Sequence, residues 1–411
     1  MSKVLKGSFE LMKQLNIAAV LKVLRTGGKL SRAEIAEITG LTPATVTNIT
    51  KFLMNAGYLN ETGIGESSGG RPPVILELNP EARYVVGVDL GVGVVEVVIA
   101  NLEAKIVAKK SIEIQDKEEE KEYNLVLNKL ISMISEIIEE SNIEKDKIMG
   151  IGMAVHGVVN ASTGISEFAP YYNWKKVQIS KDVEEAFGYP VYIDNDVRAM
   201  ALGESWFGCA KGIDNFITIN ISNGIGAGII IDNKPYYGVD YSAGEIGHIV
   251  VDVDGPKCNC GNYGCLESIA SNKSLVKKAI KLIKQGTETQ MLKGKEDVED
   301  ITIEDICDAA TKGDEAAIAL LKEAGRYIGL VISNLVNILN PMQVVMVGEI
   351  MVYNSYALDS IKATVKKVGF QLPAQKAKIL QSALGENSAV IGAVTLVLQE
   401  VFKGKEFAEI Q

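Results

Sequence analysis

Three cysteines and one histidine form the most specific chemical pattern in the chain. Cys258, Cys260 and Cys265 have the spacing C-x-C-x4-C, and His248 lies ten residues upstream of the first of them. Three thiolates and one imidazole suit a closed tetrahedral Zn²⁺ site. Clustered cysteines in a reducing compartment favour a metal over a disulfide, so we predict structural zinc bound by these four residues. Free thiols or a redox switch are the alternatives.

Acidic side chains lie on both sides of this cluster and at the end of an earlier strand. Glu245 and Glu267 flank the cysteines, and a loop with carboxylates on each side could hold a polyol through several hydrogen bonds. Asn195 and Asp196 follow the apolar strand 191–193. An aspartate at a strand end that faces a cleft could accept a proton from a sugar hydroxyl. A turn or a helix cap is the alternative interpretation of Asp196.

The N-terminal part of the chain is predicted to consist of short helices. Apolar residues recur at helical spacing over 17–24, which predicts a first helix that ends at a Gly-Gly pair. Ser31–Glu34 has the spacing of a capping box and predicts the start of a second helix. We expect Ile35 and Ile38 to face inward from that helix and Gly40 to end it.

A third helix is predicted to begin with Thr42 as its N-cap and Pro43 at its first position, where the missing N–H costs little. A short helix, a tight turn and a polar-faced helix make a helix-turn-helix, whose second helix enters the DNA major groove. Small hydroxyl and amide side chains there reach base edges or phosphates. The predicted DNA-binding residues of this helix are Thr42, Thr45, Thr47, Asn48 and Lys51. A three-helix protein-interaction module is the alternative.

Two predicted strands, 58–60 and 74–78, enclose a segment rich in glycine and serine and would form the wing of a winged helix. The sequence Gly-Gly-Arg-Pro-Pro over 69–73 lies at its tip or base. Its glycines let the backbone approach a groove closely, and its prolines hold the chain extended. Arg71 can then enter the narrow minor groove of A·T-rich DNA. A plain linker is the alternative.

The body of the chain repeats one pattern. The stretches 84–100 and 216–231 each read as a β-hairpin with a glycine-rich turn, about 130 residues apart. This repeat predicts two similar α/β lobes that face each other across a cleft. Glycine turns of this kind can cradle phosphate with free backbone N–H groups. An amphipathic helix over 124–140, a long helix over 316–339 and a buried strand over 343–347 fit the same architecture.

Length, charge and hydropathy limit the class of protein. The 411 residues suggest two or three domains, and 47% hydrophobic with 23% charged residues is typical of globular proteins. We find no apolar run long enough for a membrane helix and no secretory leader, so we expect a cytoplasmic protein without membrane contact. Residues 1–72 carry a net charge of +4 and the remainder −14. The body would therefore repel nucleic acid, whereas the N-terminal segment would not.

These motifs together resemble the ROK family, named for repressors, open reading frames and kinases, over essentially the whole chain. The segments 244–248 and 258–267 look like the two signatures of the family, and 193–204 is similar to its catalytic-aspartate segment. The resemblance implies an α/β fold of the actin/hexokinase/Hsp70 (ribonuclease H-like) type, with two lobes around a sugar and ATP cleft. The N-terminal winged helix-turn-helix and the segment 69–72 resemble the family's xylose-repressor-like branch.

The resemblance also implies a sugar site made of polar side chains and one glycine: Asn195, Asp196, Glu245, His248, Glu267 and Gly157. In a kinase member Asp196 would be the general base. His248 would both bind zinc and face the sugar. His156 replaces a proline that is common before Gly157 in the family. It either tunes which sugar fits or is a satisfied buried histidine.

The phosphate loops depart from the kinase pattern. The segment 89–94 lacks the hydroxyl and the cation of the usual Asp-x-Gly-Gly-Thr-Lys. Ser222-Asn223 replaces Gly-Thr in the second loop, and Gly348-Glu349 replaces a late Gly-Gly. Phosphoryl transfer depends on positioning phosphate and neutralising its charge, so these changes argue against ATP use. We therefore expect neither catalytic residues nor enzyme activity.

We predict a sugar-responsive transcriptional repressor of carbohydrate-utilisation genes. It would bind operator DNA and a monosaccharide, xylose or glucose, as a dimer or tetramer. The predicted domains are a winged helix over 1–78, a small α/β lobe over 79–195 completed by 395–411, and a large lobe with the zinc loop over 196–394. The alternatives are an ATP-dependent hexose kinase with an appended DNA-binding module and a DNA-binding protein with a purely structural body.

Overall fold

The computed structural model describes residues 9–64 and 72–404. Its N-terminal part consists of helices and a small sheet: α1 (Phe9–Gly27), β1 (Leu30–Ser31), α2 (Arg32–Thr39), α3 (Pro43–Asn55), β2 (Leu59–Ile64) and β3 (Val74–Leu78). Strands β2 and β3 form an antiparallel hairpin, and β1 pairs with the other edge of β3. This arrangement confirms the predicted winged helix-turn-helix.

Local signals fix the ends of α2 and α3 as the sequence predicts. Ser31 and Glu34 form a complete capping box at the start of α2, and Gly40 ends that helix in the left-handed conformation. The Thr42 side chain accepts a backbone N–H of the first turn of α3, whose first position is Pro43. These caps satisfy backbone groups that a helix end leaves without partners.

The apolar faces of the small helices meet in a common core. Val46, Leu53 and Ile35 are buried there. The prediction that Ile38 faces inward is wrong, because its side chain is 59% exposed. The packing of α2 on its neighbours buries Ile35 and Ala36, and Ile38 faces solvent because it lies about 200° around the helix from Ala36.

The first lobe contains a five-stranded sheet and its covering helices. Along the chain its elements are β4 (Tyr84–Leu90), β5 (Val94–Asn101), β6 (Ile106–Glu113), α4 (Tyr123–Glu140), β7 (Ile148–Val155), β8 (Val158–Asn160), β9 (Ile165–Ala169), β10 (Trp174–Val177), α5 (Ile179–Phe187), β11 (Val191–Asn195) and α6 (Asp196–Trp206). The sheet order is β11-β7-β4-β5-β6, with β8, β9 and β10 in a separate small sheet.

The second lobe is also built on five strands. Its elements are β12 (Phe216–Ile221), β13 (Ile225–Ile231), β14 (Lys234–Pro235), α7 (Leu266–Ala270), α8 (Asn272–Lys284), α9 (Ile303–Thr311), α10 (Glu315–Leu339), β15 (Gln343–Val347), α11 (Glu349–Val352), α12 (Tyr356–Val368), α13 (Gln371–Lys376) and β16 (Lys378–Gln381). The last helix, α14 (Ser388–Val401), returns to the first lobe and packs on β4 and β5. The sheet order is β14-β13-β12-β15-β16.

The two sheets share one plan. In each, the hairpin predicted from the sequence is antiparallel, a third antiparallel strand extends it, and two parallel strands complete the other side. The strands β4, β5, β6, β7 and β11 correspond to β12, β13, β14, β15 and β16. The predicted two-lobed α/β body is therefore confirmed.

Helix α6 is held between elements of both lobes by close glycine contacts. A Cβ on Gly203 would lie 3.2 Å from the Cα of Gly392 in α14, and a Cβ on Gly392 would overlap the carbonyl of Ala199. On the other side, a Cβ on Gly228 in β13 would overlap the carbonyl of Val197. Only residues without side chains allow this approach. The helix that begins at Asp196 is therefore clamped at the lobe junction.

The winged helix shares a continuous apolar core with the first lobe. Buried residues of α1, β2 and β3 join those of β4, β5 and α14 in one cluster. The Arg25 guanidinium of α1 lies 3.7 Å from the ring centre of Trp206, the last residue of α6. The predicted domain boundaries stay a prediction. Within the described residues, none of the helices combines the length and the apolar character that a membrane span needs.

Candidate functional site

The predicted metal ligands lie together. The ligand atoms of His248, Cys258, Cys260 and Cys265 are all within 4.8 Å of one another. The Sγ atoms of Cys260 and Cys265 are 3.7 Å apart, and Cys258 Sγ lies 3.7 Å from His248 Nδ1. A tetrahedral ion with Zn–S bonds of about 2.3 Å separates its sulfur ligands by about 3.8 Å. The four side chains therefore fit a zinc ion with little rearrangement.

A tight loop produces this arrangement. Gly264 has φ +66°, and a Cβ there would overlap the carbonyl of Asp252, so the turn before Cys265 requires glycine. Cys265 then stands at the N-cap of α7 and forms a bridge with Val250. The same first turn of α7 carries Glu267. The thiolate cluster and this carboxylate are thus placed by one short piece of backbone.

The first-lobe half of the candidate sugar site is the junction of β11 and α6. Asn195 caps α6, because its Oδ1 accepts the backbone N–H groups of Val197 and Arg198, each at 3.1 Å. Its Nδ2 donates to the Gly157 carbonyl at 3.0 Å and to Asp196 Oδ1 at 2.7 Å. Asn195, Asp196 and Gly157 are therefore joined in one hydrogen-bonded unit.

The second-lobe half consists of the zinc loop and the turn before it. Glu245 Oε2 lies 4.0 Å from His248 Nε2, while the other ring nitrogen of His248 faces Cys258. Glu267 Oε2 accepts the backbone N–H of Ile225 at 3.1 Å. This bond ties α7 to the glycine-rich turn that precedes β13.

The two halves meet around His156. Its Nδ1 lies 3.8 Å from Asp196 Oδ2. Burial on its own would lower the pKa of His156. Asp196, followed by the charges of Glu245 and Glu267, instead raises that pKa above the ordinary imidazole value. The charges of carboxylates from both lobes thus act on one imidazole, beside Gly157. Contacts join Asn195 to Asp196 and Gly157 in the first lobe, and Glu245 lies beside His248 in the second. That the six predicted residues form one sugar site stays a prediction.

The first glycine turn adds another acidic group. Burial raises the pKa of Asp89 well above its usual range, and the charges of Asp196 and Glu96 raise it further. Asp89 Oδ1 is buried and has no hydrogen-bond partner among the residues that the structure describes. This carboxylate therefore approaches the sugar half from the strand β4.

The second glycine turn opens onto a different cavity of about 450 Å³. Its lining includes Asn223, Lys273 and Glu349. Asn272 Nδ2 donates to Glu349 Oε2 at 2.7 Å, and its backbone N–H donates to the Ser222 carbonyl at 2.9 Å. The Glu349 carboxylate is therefore hydrogen-bonded at the wall of this cavity.

The predicted DNA-binding side chains of α3 lie on its outer face. Thr42, Thr47, Asn48 and Lys51 are exposed, and Thr45 is half-buried. Thr42 and Thr45 hydroxyls share a hydrogen bond of 2.8 Å. Arg71 lies outside the described residues, so its predicted contact with DNA stays a prediction.

Sequence analysis did not single out a buried ion pair beneath the sugar half. Arg198 Nε donates to Asp194 Oδ1 at 2.7 Å, and both side chains are almost fully buried. The available signal was the i, i+4 spacing of opposite charges across the junction of β11 and α6. The apolar periodicity of α6 does not indicate a buried ion pair at Arg198, because neighbouring residues on every side of the helix are buried as well.

Comparisons with known proteins match both parts of the chain. The ROK family model matches residues 85–400, and the model for winged helix-turn-helix DNA-binding proteins matches residues 16–60. The xylose repressor of Caldicellulosiruptor bescii is 33% identical over 98% of this chain and 100% of its own.

Two solved structures extend the comparison. A ROK family transcriptional regulator, a homolog of the E. coli Mlc protein, has a TM-score of 0.82 and 31% identity over 96% of this chain and 98% of its own. A ROK glucokinase from Streptomyces griseus, solved with glucose and AMPPNP, has a TM-score of 0.70 and 27% identity. It covers 77% of this chain and 99% of its own. The sequence motifs, the two-lobed fold and these matches show that the chain belongs to the ROK family.

Proposed function

We propose that this protein is a sugar-responsive transcriptional repressor, with operator DNA bound by the winged helix and a monosaccharide bound in the cleft. One observation carries the proposal: a carboxylate of each lobe lies beside an imidazole, Asp196 Oδ2 at 3.8 Å from His156 Nδ1 and Glu245 Oε2 at 4.0 Å from His248 Nε2. Carboxylates and an imidazole bind hydroxyl groups through charge-assisted hydrogen bonds, which suits a polyhydroxylated ligand. The presence of a winged helix on the same chain assigns that ligand to gene regulation.

Xylose and glucose are the proposed effectors. The C. bescii relative is named a xylose repressor, and the S. griseus glucokinase was solved with glucose. The binding residues would be Asn195, Asp196, Glu245, His248, Glu267 and Gly157. His156 stands beside Gly157 at this site, which supports a role in selecting the sugar.

Zinc would organise the second-lobe half. His248, Cys258, Cys260 and Cys265 would hold the ion, which supplies a structural cross-link of the loop. Zinc binding would fix the His248 ring with Nε2 toward Glu245. It would also hold α7, and with it Glu267, in place. Metal and sugar binding would therefore be linked through the loop that they share.

Operator binding would use α3 and the wing. Thr42, Thr45, Thr47, Asn48 and Lys51 would lie in the major groove and Arg71 in the adjacent minor groove. We propose at least a dimer, because two winged helices can then bind the two halves of a pseudo-palindromic operator. Such a protein acts where the chromosome is, in the cytoplasm.

Sugar and operator would favour different arrangements of the two lobes. Helix α6 begins at Asp196 in the sugar site and ends at Trp206, which lies under Arg25 of α1. Closure of the lobes on sugar would therefore move elements that contact the winged helix. Sugar would weaken operator binding, and operator would weaken sugar binding by the same factor.

The test uses the full chain loaded with zinc and an operator selected from a random DNA duplex library. A thermal-shift screen with D-xylose, D-glucose and other aldoses identifies the effector, and fluorescence anisotropy measures operator affinity with and without it. We expect a sugar that stabilises the protein to weaken operator binding about tenfold or more. Operator affinity that no aldose changes would contradict the proposal. A stabilising sugar also excludes a purely structural body.

A separate variant tests the wing. Arg71→Ala should weaken operator binding by about 1–3 kcal/mol, because it removes a cation from the minor groove, and should leave sugar affinity unchanged. Lys312→Ala is the control, since Lys312 is an exposed residue at the far end of α9. Equal operator affinity of Arg71→Ala and the parent protein would exclude the proposed wing contact.

The second candidate function is an ATP-dependent hexose kinase with an appended winged helix. Its support is the likeness to the S. griseus glucokinase and the position of Asp196, which would be the general base. We propose that the chain is not an enzyme, since the usual phosphate-loop hydroxyl and cation are missing and Glu349 faces the cavity. A coupled ADP-release assay with xylose, glucose, mannose, N-acetylglucosamine and fructose distinguishes a kinase from a protein without enzyme activity. Turnover that Asp196→Asn abolishes would establish the kinase.

A further inference from the structure

The ion pair of Asp194 and Arg198 lies directly behind the candidate sugar-binding residues. Arg198 Nε donates to Asp194 Oδ1 at 2.7 Å, and the side chains are 3% and 2% exposed. Burying two charges costs desolvation energy that an apolar pair would not, so stability alone does not account for this pair. The pair belongs to the same junction of β11 and α6 that presents Asn195 and Asp196.

The other N–H groups of Arg198 bind backbone from both lobes. Its Nη2 donates to the carbonyl of Val159 in β8 at 2.9 Å. Its Nη1 donates to the carbonyl of Tyr241 at 2.8 Å. Tyr241 belongs to the segment 236–243, which follows β14 of the second lobe and leads directly into the turn 244–248. One guanidinium thus joins the first-lobe junction to the segment that leads into the turn with Glu245 and His248.

Two tyrosines hold this segment against the ion pair. Tyr237 donates its hydroxyl to Asp194 Oδ2 at 3.3 Å, and its ring centre lies 5.2 Å from the Arg198 guanidinium. The rings of Tyr237 and Tyr241 pack edge to face at 5.5 Å. The Tyr241 hydroxyl is 2.9 Å from the Ser162 hydroxyl, in the turn between β8 and β9. Tyr241 has φ +64°, a conformation that a non-glycine residue keeps when its surroundings fix it.

We propose that Arg198 is a positioning residue of the sugar site. It sets the distance between the first-lobe half, Asn195 and Asp196, and the second-lobe half, Glu245 and His248, so that one sugar can bond to both. Only a planar guanidinium offers donors in three fixed directions, toward Asp194 and the two carbonyls. This inference rests on the proposed function in one respect, namely that the ligand of the cleft is a sugar.

The test is Arg198→Lys in the full, zinc-loaded chain. The ammonium keeps the charge beside Asp194 but cannot reproduce the fork to both carbonyls. We expect the dissociation constant for D-xylose or D-glucose, whichever binds the parent protein, to rise about tenfold in calorimetry. The sugar concentration that releases operator should rise in parallel. Zinc content and sugar-free operator affinity should stay at the parent values, because Arg198 contacts neither site.

The matched control is Arg326→Lys, on the exposed face of α10. A merely structural role for Arg198 would lower the melting temperature and leave sugar affinity at 25 °C unchanged, and that result would overturn the inference. If Arg198→Lys does not fold, Tyr241→Phe replaces it, because that change removes only the hydroxyl contact with Ser162 from the same segment. We expect a smaller loss of sugar affinity, about threefold, and an unchanged affinity would again overturn the inference.

The two proposals fail in different ways. If the parent protein binds no sugar, the proposed function fails before any variant is compared. If the parent responds to sugar and Arg198→Lys responds identically, the proposed function stands and only the positioning role of Arg198 is excluded.

Discussion

Two parts of the cleft lie beside strand-turn-strand units of the same plan: the proposed sugar half around Asp196 and Glu245, and the proposed nucleotide half, the cavity lined by Asn223 and Glu349. They differ in the arrangement of their carboxylates. In the sugar half, Asp196 lies 3.8 Å from the imidazole of His156, and the charges of Glu245 and Glu267 also raise the pKa of that imidazole. In the nucleotide half, Glu349 is hydrogen-bonded to Asn272 at the wall of its cavity. The first arrangement suits hydroxyl groups, whereas we expect the second to repel a polyphosphate.

The duplicated fold therefore determines where the glycine turns lie, and the side chains beside them determine which ligand can bind. Asp89 at the end of β4 and Asn220 at the end of β12 occupy corresponding strand positions. One brings a buried carboxylate toward the sugar half, and the other donates its amide to the nearby Ser222 hydroxyl at 3.2 Å. Four experiments would sharpen this contrast or break it.

The largest effect should come from Cys260→Ser. We expect loss of zinc, a fall of at least about 3 kcal/mol in the free energy of unfolding and loss of measurable sugar binding, because the loop that carries Glu245 and Glu267 loses its cross-link. Elemental analysis, urea unfolding and calorimetry measure the three quantities. The control Cys209→Ser changes a cysteine outside the cluster. Sugar binding by a zinc-free protein at the parent affinity would show that the metal does not support the sugar half.

Asp196→Asn should have the second-largest effect. It removes one negative charge from the group around His156 while keeping the shape of the side chain. We expect sugar affinity to fall about 100-fold, as for loss of charge-assisted hydrogen bonds, and sugar-free operator affinity to stay unchanged. Calorimetry and anisotropy separate the two, with the exposed Asp300→Asn as control. A loss of operator binding without sugar would place Asp196 in the structure of the whole protein and not in the sugar half.

Glu349→Gly addresses the nucleotide half. The change restores the Gly-Gly of kinase members and removes the carboxylate from the cavity wall. We expect Mg-ATP to bind the parent protein negligibly and the variant about tenfold better, with sugar affinity equal in both. Equilibrium dialysis with labelled ATP measures this, and Glu304→Gln tests whether any loss of charge at the cavity suffices. Tight ATP binding by the parent protein would remove the contrast between the two halves.

The smallest expected effect concerns pH. The folded protein raises the pKa of His156, so the protonated imidazole stabilises it below the unfolded pKa of about 6.5, and that contribution is lost as pH rises through the folded pKa. His156→Asn should therefore lose more stability at about pH 6 than at about pH 8.5. Urea unfolding of both proteins at each pH tests this, and the pH dependence of the zinc-binding cysteines cancels in the difference. An equal loss at both values would mean that the carboxylates do not act on this imidazole.

Features fixed by a few neighbouring residues could be predicted from the sequence. The capping box at Ser31, the N-cap Thr42 and the C-x-C-x4-C loop depend on contacts within a few positions, and the structure shows each of them. The paired hairpins were also predictable, because each glycine-rich turn lies between two apolar runs. The repeat of the whole five-strand plan was not, since the parallel strands come from distant parts of the chain.

Contacts between distant residues were out of reach of sequence analysis. Asn272 and Glu349 are 77 positions apart, and Arg198 meets the Tyr241 carbonyl 43 positions away. No local pattern encodes either pair. The inward orientation predicted for Ile38 failed for a related reason, because the packing of α2 on its neighbours decides which residues are buried. The assignment of individual sugar-binding and DNA-binding residues, Arg71 included, stays a prediction.

The core that α1, β2 and β3 share with β5 and α14 has a consequence for engineering. A fragment that ends near residue 78 would expose the apolar sides of these elements to water. We expect it to aggregate or unfold and not to act as an independent DNA-binding domain. A chain that received the N-terminal segment of a relative would fold only if the residues of α14 that face this segment were exchanged as well. Residues of α1 and α14 therefore belong to one core, although more than 350 positions separate these helices in the sequence.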